Sequence, residues 1–268
     1  MNMPNNKNAR KIIGVALIIA VCVIGGLIFK DSIMELVYPP FEETTIYPDD
    51  KRQSPADTTF FVKGVEIRMV GIRGGKICPK GLRETIKLDN FYLGETEVTQ
   101  ELWKAVMGEN PSCNRDSTNL PVENIDLKDC LKFVYALDSI SGINFFIPTY
   151  PQWLYAAYLG NGNIDSPYCG SKVLDEVAWY KDNSINTTHP VKQKKPNALG
   201  IYDMYGNVSE WTMSGCDPLY CVMGGGFDSD STCSKMDVFE IDHAEIKESS
   251  LGLRLAYFPS SSQKDSKN

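Results

Sequence analysis

Eight cysteines are the side chains of this sequence with the widest chemistry. Thiolates bind soft metals, attack electrophiles and pair as disulfides. Cys22 lies inside an uncharged apolar run, which leaves Cys78, Cys113, Cys130, Cys169, Cys216, Cys221 and Cys233. Seven is odd, so at least one thiol stays unpaired in the chain or bridges to another chain. Cys216 and Cys221 are near enough in sequence to close a small loop, and the pairing stays open at this level. The two histidines, His189 and His243, lie far apart, and no cysteine spacing matches a zinc motif. Tyr150, Tyr155, Tyr158, Tyr168, Tyr180 and Tyr205 suit either a sugar or peptide groove or, as more often happens, the core. No serine–histidine–acid triad, phosphate loop or dinucleotide fingerprint appears, and neither Gly74-Gly75 nor Gly224-Gly225-Gly226 fits those templates.

The elements that would position these groups follow from periodicity. Residues 60–70 (FFVKGVEIRMV) alternate as a strand does, and 84–88 and 91–93 are further short strands. The period then becomes helical. Thr99 caps a helix with Leu102, Trp103, Val106 and Met107 on one face and Gly108 as its stop. Asp126 caps a second, with an apolar stripe of Leu127, Cys130, Leu131, Val134 and Leu137 ending at Gly142. Thr149 caps a third, with Pro151 in its first turn, Trp153, Ala156 and Ala157 inside, and Gly160 at its end. Beyond Gly160 the chain is rich in loop residues, with short apolar pieces between them. Strands, then helices, then irregular β is an α+β order.

Residues 12–29 carry no charge over eighteen positions, a helix of ~27 Å and close to the bilayer core. Lys7, Arg10 and Lys11 precede it, which places the N-terminus in the cytoplasm and the rest outside. A cleaved signal peptide and lipid attachment at Cys22 are the rival readings, and both also export the domain. The expected organisation is a cytoplasmic tail over 1–11, a transmembrane anchor over 12–29, a Pro-punctuated stalk over 30–58, one domain over 59–258 and a flexible tail over 259–268. The net charge of −7 has no basic footprint outside the first residues, which argues against a nucleic-acid partner.

Six stretches carry a resemblance: 94–112 (GETEVTQELWKAVMGENPS), 119–125 (NLPVENI), 147–157 (IPTYPQWLYAA), 197–211 (NALGIYDMYGNVSEW), 223–227 (MGGGF) and 251–255 (LGLRL). In this order they resemble the blocks of the formylglycine-generating enzyme, or sulfatase-modifying factor, family. The resemblance runs from about residue 60 to 258. It implies a modified C-type-lectin-like α+β fold with little regular secondary structure. It also implies a chemistry: active members oxidise a sulfatase cysteine to formylglycine with copper(I) held by two thiolates. Here the positions of those thiolates are Ser229 and Ser234, and the arginine and serine of the preceding block are Met223 and Gly226. A hydroxyl is a poor ligand for copper(I), so copper is not expected, and Cys233, one residue off, leaves a single thiol as the weak catalytic candidate.

The resemblance further implies a calcium turn, with oxygens from Asn207, Glu210 and the carbonyls of Gly206 and Val208. The alternative is a turn whose Asn and Glu bond local amides, with Trp211 as a core anchor. A second calcium site would fall near 178–183, where Trp179 replaces the asparagine it wants. The expected role is a non-catalytic, membrane-anchored binding or envelope-assembly module with a protein or glycan partner. The alternatives are a divergent formylglycine-generating oxidase and a structural part of a secretion or gliding-type envelope complex.

Overall fold

The computed structural model describes residues 44–80, 85–161, 168, 170–232 and 239–259. The expected anchor, the cytoplasmic tail, residues 30–43 of the stalk, residues 260–268 of the tail, Cys169, Cys233 and Ser234 lie outside the described residues. Among the described residues no helix is long and apolar enough to cross a membrane.

Five strands form the largest sheet: β2 (Thr58–Val62), β3 (Val65–Ile72), β6 (Phe91–Gly94), β14 (Ala256–Tyr257) and β7 (Phe145–Phe146), all antiparallel and in that spatial order. The run read as one strand over 60–70 is a hairpin. Lys63 (φ 49°) and Gly64 (φ 86°) are both left-handed, as a two-residue type I′ turn requires. Alternation then sorts the faces: Val62, Ile67 and Met69 are buried, whereas Phe61 is 70% exposed.

Two helices cover this sheet. In α1 (Gln100–Met107) the Thr99 side chain accepts from the Leu102 amide, and Gly108 ends the helix at φ 85°. In α2 (Leu127–Ser141) Asp126 caps by accepting from the Asp129 amide at 2.8 Å, and Gly142 closes it at φ 69°. Trp103 stacks on Phe133, their centroids 4.7 Å apart, so the helices share one core. Leu131, expected in the apolar stripe, is 45% exposed, and Phe133 holds the inward position instead.

A second core surrounds α3 (Tyr150–Gly160), whose Trp153, Leu154, Tyr155, Ala156 and Ala157 are buried. Gln152 accepts from the Thr149 amide at 2.9 Å and so closes a capping box at the start of this helix. This core also receives a three-stranded sheet of β1 (Thr45–Pro48), β4 (Gly75–Cys78) and β5 (Ile86–Leu88). β1 corrects the expected stalk boundary: residues 45–58 belong to the folded domain. Its prolines and charges look like a linker, but Ile46 packs into the core and Arg52 bonds Asp89 at 3.0 Å.

The remaining elements are short. A one-turn helix α4 (Leu174–Val177) leads into β8 (Ala178–Trp179), which pairs in parallel with β9 (Tyr205–Gly206). β10 (Ser209–Cys216), β11 (Leu219–Met223) and β12 (Phe239–His243) form an antiparallel meander, and β13 (Leu251–Gly252) joins β10 in parallel. The architecture is α+β, as expected.

Candidate functional site

Arg254, on the segment between β13 and β14, is fully buried, and the fold is organised around it. Its Nε donates to both oxygens of Glu210 at 3.0 Å, and Nη2 donates to Glu210 Oε1 at 2.7 Å. Nη1 donates to the Gly94 carbonyl at 2.9 Å, and Nη2 also reaches the carbonyls of Tyr202 and Asp203 at 2.9 and 3.1 Å. Glu210 completes its set by accepting from Trp153 Nε1 at 2.6 Å. A buried charge needs this density of partners, because its lost hydration must be replaced within the protein.

Two further carboxyls share the interior. Glu97 accepts from Asn207 Nδ2 at 2.7 Å and from the Val208 amide at 3.0 Å. Burial, and then the nearby Asp203 and Glu210, hold its carboxyl well above the usual carboxylate range. Asp203, left-handed at φ 53°, accepts from the Lys192 amide at 2.9 Å through Oδ2, while its buried Oδ1 has no hydrogen-bond partner. Burial pushes Asp203 up to about 6.

All six resembling blocks meet here. Glu97, Trp153, Glu210 and Arg254 come from four of them. The 119–125 block joins through Trp211 Nε1, which donates to the Ile125 carbonyl at 3.1 Å, and through Gln100, which donates to the Pro121 carbonyl at 3.1 Å. The glycine block joins through the Phe227 amide, 2.9 Å from the Asn207 carbonyl, and the Gly206 amide, 3.1 Å from the Gly224 carbonyl. The recurring residues are therefore the internal wiring of the fold.

This wiring engages the oxygen set implied for calcium. Glu210 is held by Arg254 and Trp153. Asn207 accepts from the His189 amide at 2.9 Å and donates to Glu97. With both side chains turned inward, the carbonyls of Gly206 and Val208 fall far short of six to eight oxygens, and this arrangement does not fit calcium. The local-amide alternative describes Asn207; Glu210 instead binds an arginine. Among the described residues no group of three or more His, Cys, Asp or Glu is placed to hold a metal ion. Trp179, at the second implied site, stacks on His189 at 3.7 Å and lies under Lys194 Nζ at 3.9 Å. His189 Nε2 is 2.8 Å from the Ser184 carbonyl, so the ring packs and pins a loop.

The glycine turn where the copper chemistry would lie begins with left-handed Gly224 (φ 89°) and Gly225 (φ 70°). Ser229 Oγ accepts from the Gly226 amide at 3.0 Å, its amide donates back to the Gly226 carbonyl at 3.0 Å, and its carbonyl accepts from the Lys181 amide at 3.1 Å. The position at which the resemblance implies a thiolate in active members thus carries a hydroxyl that closes a turn, a set that does not fit copper(I). Ser234 and Cys233 lie outside the described residues.

The other thiols are scattered. Cys130 is buried inside α2, where burial pushes its thiol well up, and Cys113 is exposed near Glu123. Cys216 stands opposite Leu219, and Cys221 opposite Ile241 on β12, so the ladder does not set Cys216 against Cys221. The six tyrosines do not form one groove: Tyr155, Tyr180 and Tyr205 are buried in the second core, and Tyr150, Tyr158 and Tyr168 are half-buried against it. The sequence reading missed Glu97, Asp203 and Arg254. Their only signal is a charged residue at an inward step of an otherwise apolar block, as in Leu253-Arg254-Leu255.

Comparison with known proteins gives a consistent picture. Residues 45–258 match the sulfatase-modifying factor enzyme 1-like domain. The chain is 34% identical to the chaperone protein LppX of Paenibacillus barcinonensis, in a match covering 48% of this chain and 63% of that protein's length. Among solved structures, variable protein 1 of Treponema denticola has a TM-score of 0.71 at 27% identity, covering 77% of this chain and all (100%) of that one. CarF has a TM-score of 0.63 at 22% identity, covering 71% and 98%. PvdO from Pseudomonas aeruginosa has 0.62 at 18%, covering 76% and 99%. The last two share the fold.

Proposed function

The chain belongs to the sulfatase-modifying factor enzyme 1-like domain family, and from that membership we propose that it is a non-catalytic binding or assembly module of the cell envelope. Residues 12–29 would hold it in the membrane, with the domain outside the cytoplasm. The observation that carries the reading is Ser229. Its hydroxyl stands at a family thiol position and is engaged with Gly226. A hydroxyl neither ionises near neutral pH nor offers the soft sulfur that copper(I) prefers. One relative bears the name chaperone, which is in keeping with a role directed at another protein. A fold can pass to a new role while its founding chemistry lapses, because the site is grafted on the scaffold.

The test supplies the full-length chain with copper(I), oxygen and a peptide carrying the pattern Cys-x-Pro-x-Arg, followed by mass spectrometry. No aldehyde should form while an active relative converts the peptide alongside. Aldehyde formation by this chain would overturn the reading and make Cys233, with a neighbouring thiol, the place to look.

A further inference from the structure

The outer face of the β1–β4–β5 sheet carries a row of three side chains that the reading above does not use. Tyr47 stands opposite Lys76, and Lys76 stands opposite Lys87. All three are exposed; Tyr47 keeps 55% of its surface in water. Adjacent strands lie 4.7–4.9 Å apart, so the row runs about 10 Å from an aromatic ring to two ammonium groups.

Two lysines directly opposed across a ladder repel each other. Among the described residues neither ammonium has an ion-pair partner. The carboxylates nearby, Asp49 and Asp89, are both engaged by Arg52, at 3.1 and 3.0 Å. The repulsion is therefore left standing in a chain whose net charge is −7.

The row also borders a cleft. A cavity of about 500 Å³ is lined by Tyr47, Lys76, Lys87, Thr85 and Leu88 together with the Arg52–Asp49 ion pair, in which the one carboxylate of the described lining is already met by a guanidinium. Ligand clefts typically hold about 300–1,000 Å³. The geometry points to this cleft as a binding site for an acidic saccharide, whose ring packs on Tyr47 while its carboxylate, sulfate or phosphate substituents bridge Lys76 and Lys87. Three features favour that occupant. An aromatic face takes a flat, partly apolar ring. The Thr85 hydroxyl both donates and accepts, as sugar hydroxyls require. The concavity admits one or two rings, whereas a flat membrane surface would touch only its rim. This inference names a ligand class for the binding role proposed above, but its site is separate from the Ser229 turn.

The experiment titrates the full-length chain, in a neutral detergent, with trigalacturonate, maltotriose and hexaglutamate by calorimetry. Trigalacturonate should bind, weaken as salt rises, and lose about tenfold in affinity in the Lys76→Glu/Lys87→Glu variant. Tyr47→Ala should weaken it as well. Lys87→Glu alone replaces the opposed like charges with opposite ones, so its melting temperature should hold or rise while affinity falls, which separates a lost site from a lost fold. Equal binding of maltotriose, an unchanged affinity in the double variant, or hexaglutamate binding as tightly and independently of Tyr47 would each overturn the assignment. None of these results bears on whether aldehyde forms in the copper assay, so the two readings fail separately.

Discussion

Arg254 stands inside one family block and Ser229 just beyond another, yet the first has its donors engaged at the centre of the molecule and the second closes a turn through one hydroxyl. Around Arg254 the blocks supply the carboxylate and the carbonyls that engage its guanidinium. Around Ser229 the arginine, the serine and the thiol that copper chemistry would use are all replaced. The contrast teaches that resemblance carried by blocks such as 197–211 or 251–255 transmits the scaffold, because those residues are its internal bonds. It does not transmit the reaction, which depends on a few residues in a turn that the scaffold does not need.

The comparison breaks most easily at Arg254. Arg254→Leu leaves Glu210 buried without its counter-ion and should cost about 3–5 kcal/mol in urea denaturation. A loss under 1 kcal/mol would mean that the hub is not what holds the blocks together.

Asp203 gives the next largest effect. Its folded value of about 6 lies above the ~3.9 of a free aspartate. Its contribution to stability is therefore fully present below about pH 4 and is lost as pH rises through 6. Asp203→Asn removes the titration and suits the left-handed backbone there, so relative to the parent it should gain up to about 3 kcal/mol between pH 4 and 7. Melts of the two proteins that stay parallel across that range would place Asp203 outside the interior field.

Ser229→Ala should cost only about 1 kcal/mol, the net worth of one hydrogen bond to Gly226, as read in the same urea titration. A loss comparable to that of Arg254→Leu would put the turn inside the scaffold and erase the contrast. Leu131→Gln on the outer face of α2 should change stability by less than about 0.5 kcal/mol. Leu137→Ala on the inner face should cost about 2–5 kcal/mol, which scales the small effects against a core position.

Much of the helical part was legible because helix ends announce themselves locally. Thr99, Asp126 and Thr149 cap, and Gly108 and Gly142 stop, for reasons contained within four residues of chain. The errors arose where the deciding contact is remote. Leu131 reads as apolar stripe, but whether that position faces in depends on where the sheet sits under α2. β1 reads as linker because its partner, β4, is nearly thirty residues away, and its strand character exists only in that pairing. The Lys63-Gly64 turn was readable in principle, since two left-handed positions in a row suit Gly second. The hub was illegible for a deeper reason. The one local hint is a charge set within an apolar block, and because charged residues are overwhelmingly exposed, only the assembled fold shows Arg254 paired with Glu210 and Glu97 and Asp203 buried beside them. Glu210 was picked out as an oxygen ligand, and it is one, but for a guanidinium.

The strand order of the largest sheet has a consequence for how the molecule is made. β14 lies between β6 and β7, and Arg254, just before it, bonds a carbonyl 160 residues earlier. Until residue 257 has been delivered, the sheet has a vacant slot with two open edges, and Glu210 has no counter-ion. Synthesis from the N-terminal side therefore cannot complete this domain by stages. Closing so long a loop costs entropy before the final contacts repay it, and folding must be slow and late. A nascent chain that stalls before Arg254 would carry an assembled set of helices on an unfinished sheet, an open template for strand pairing with its neighbours.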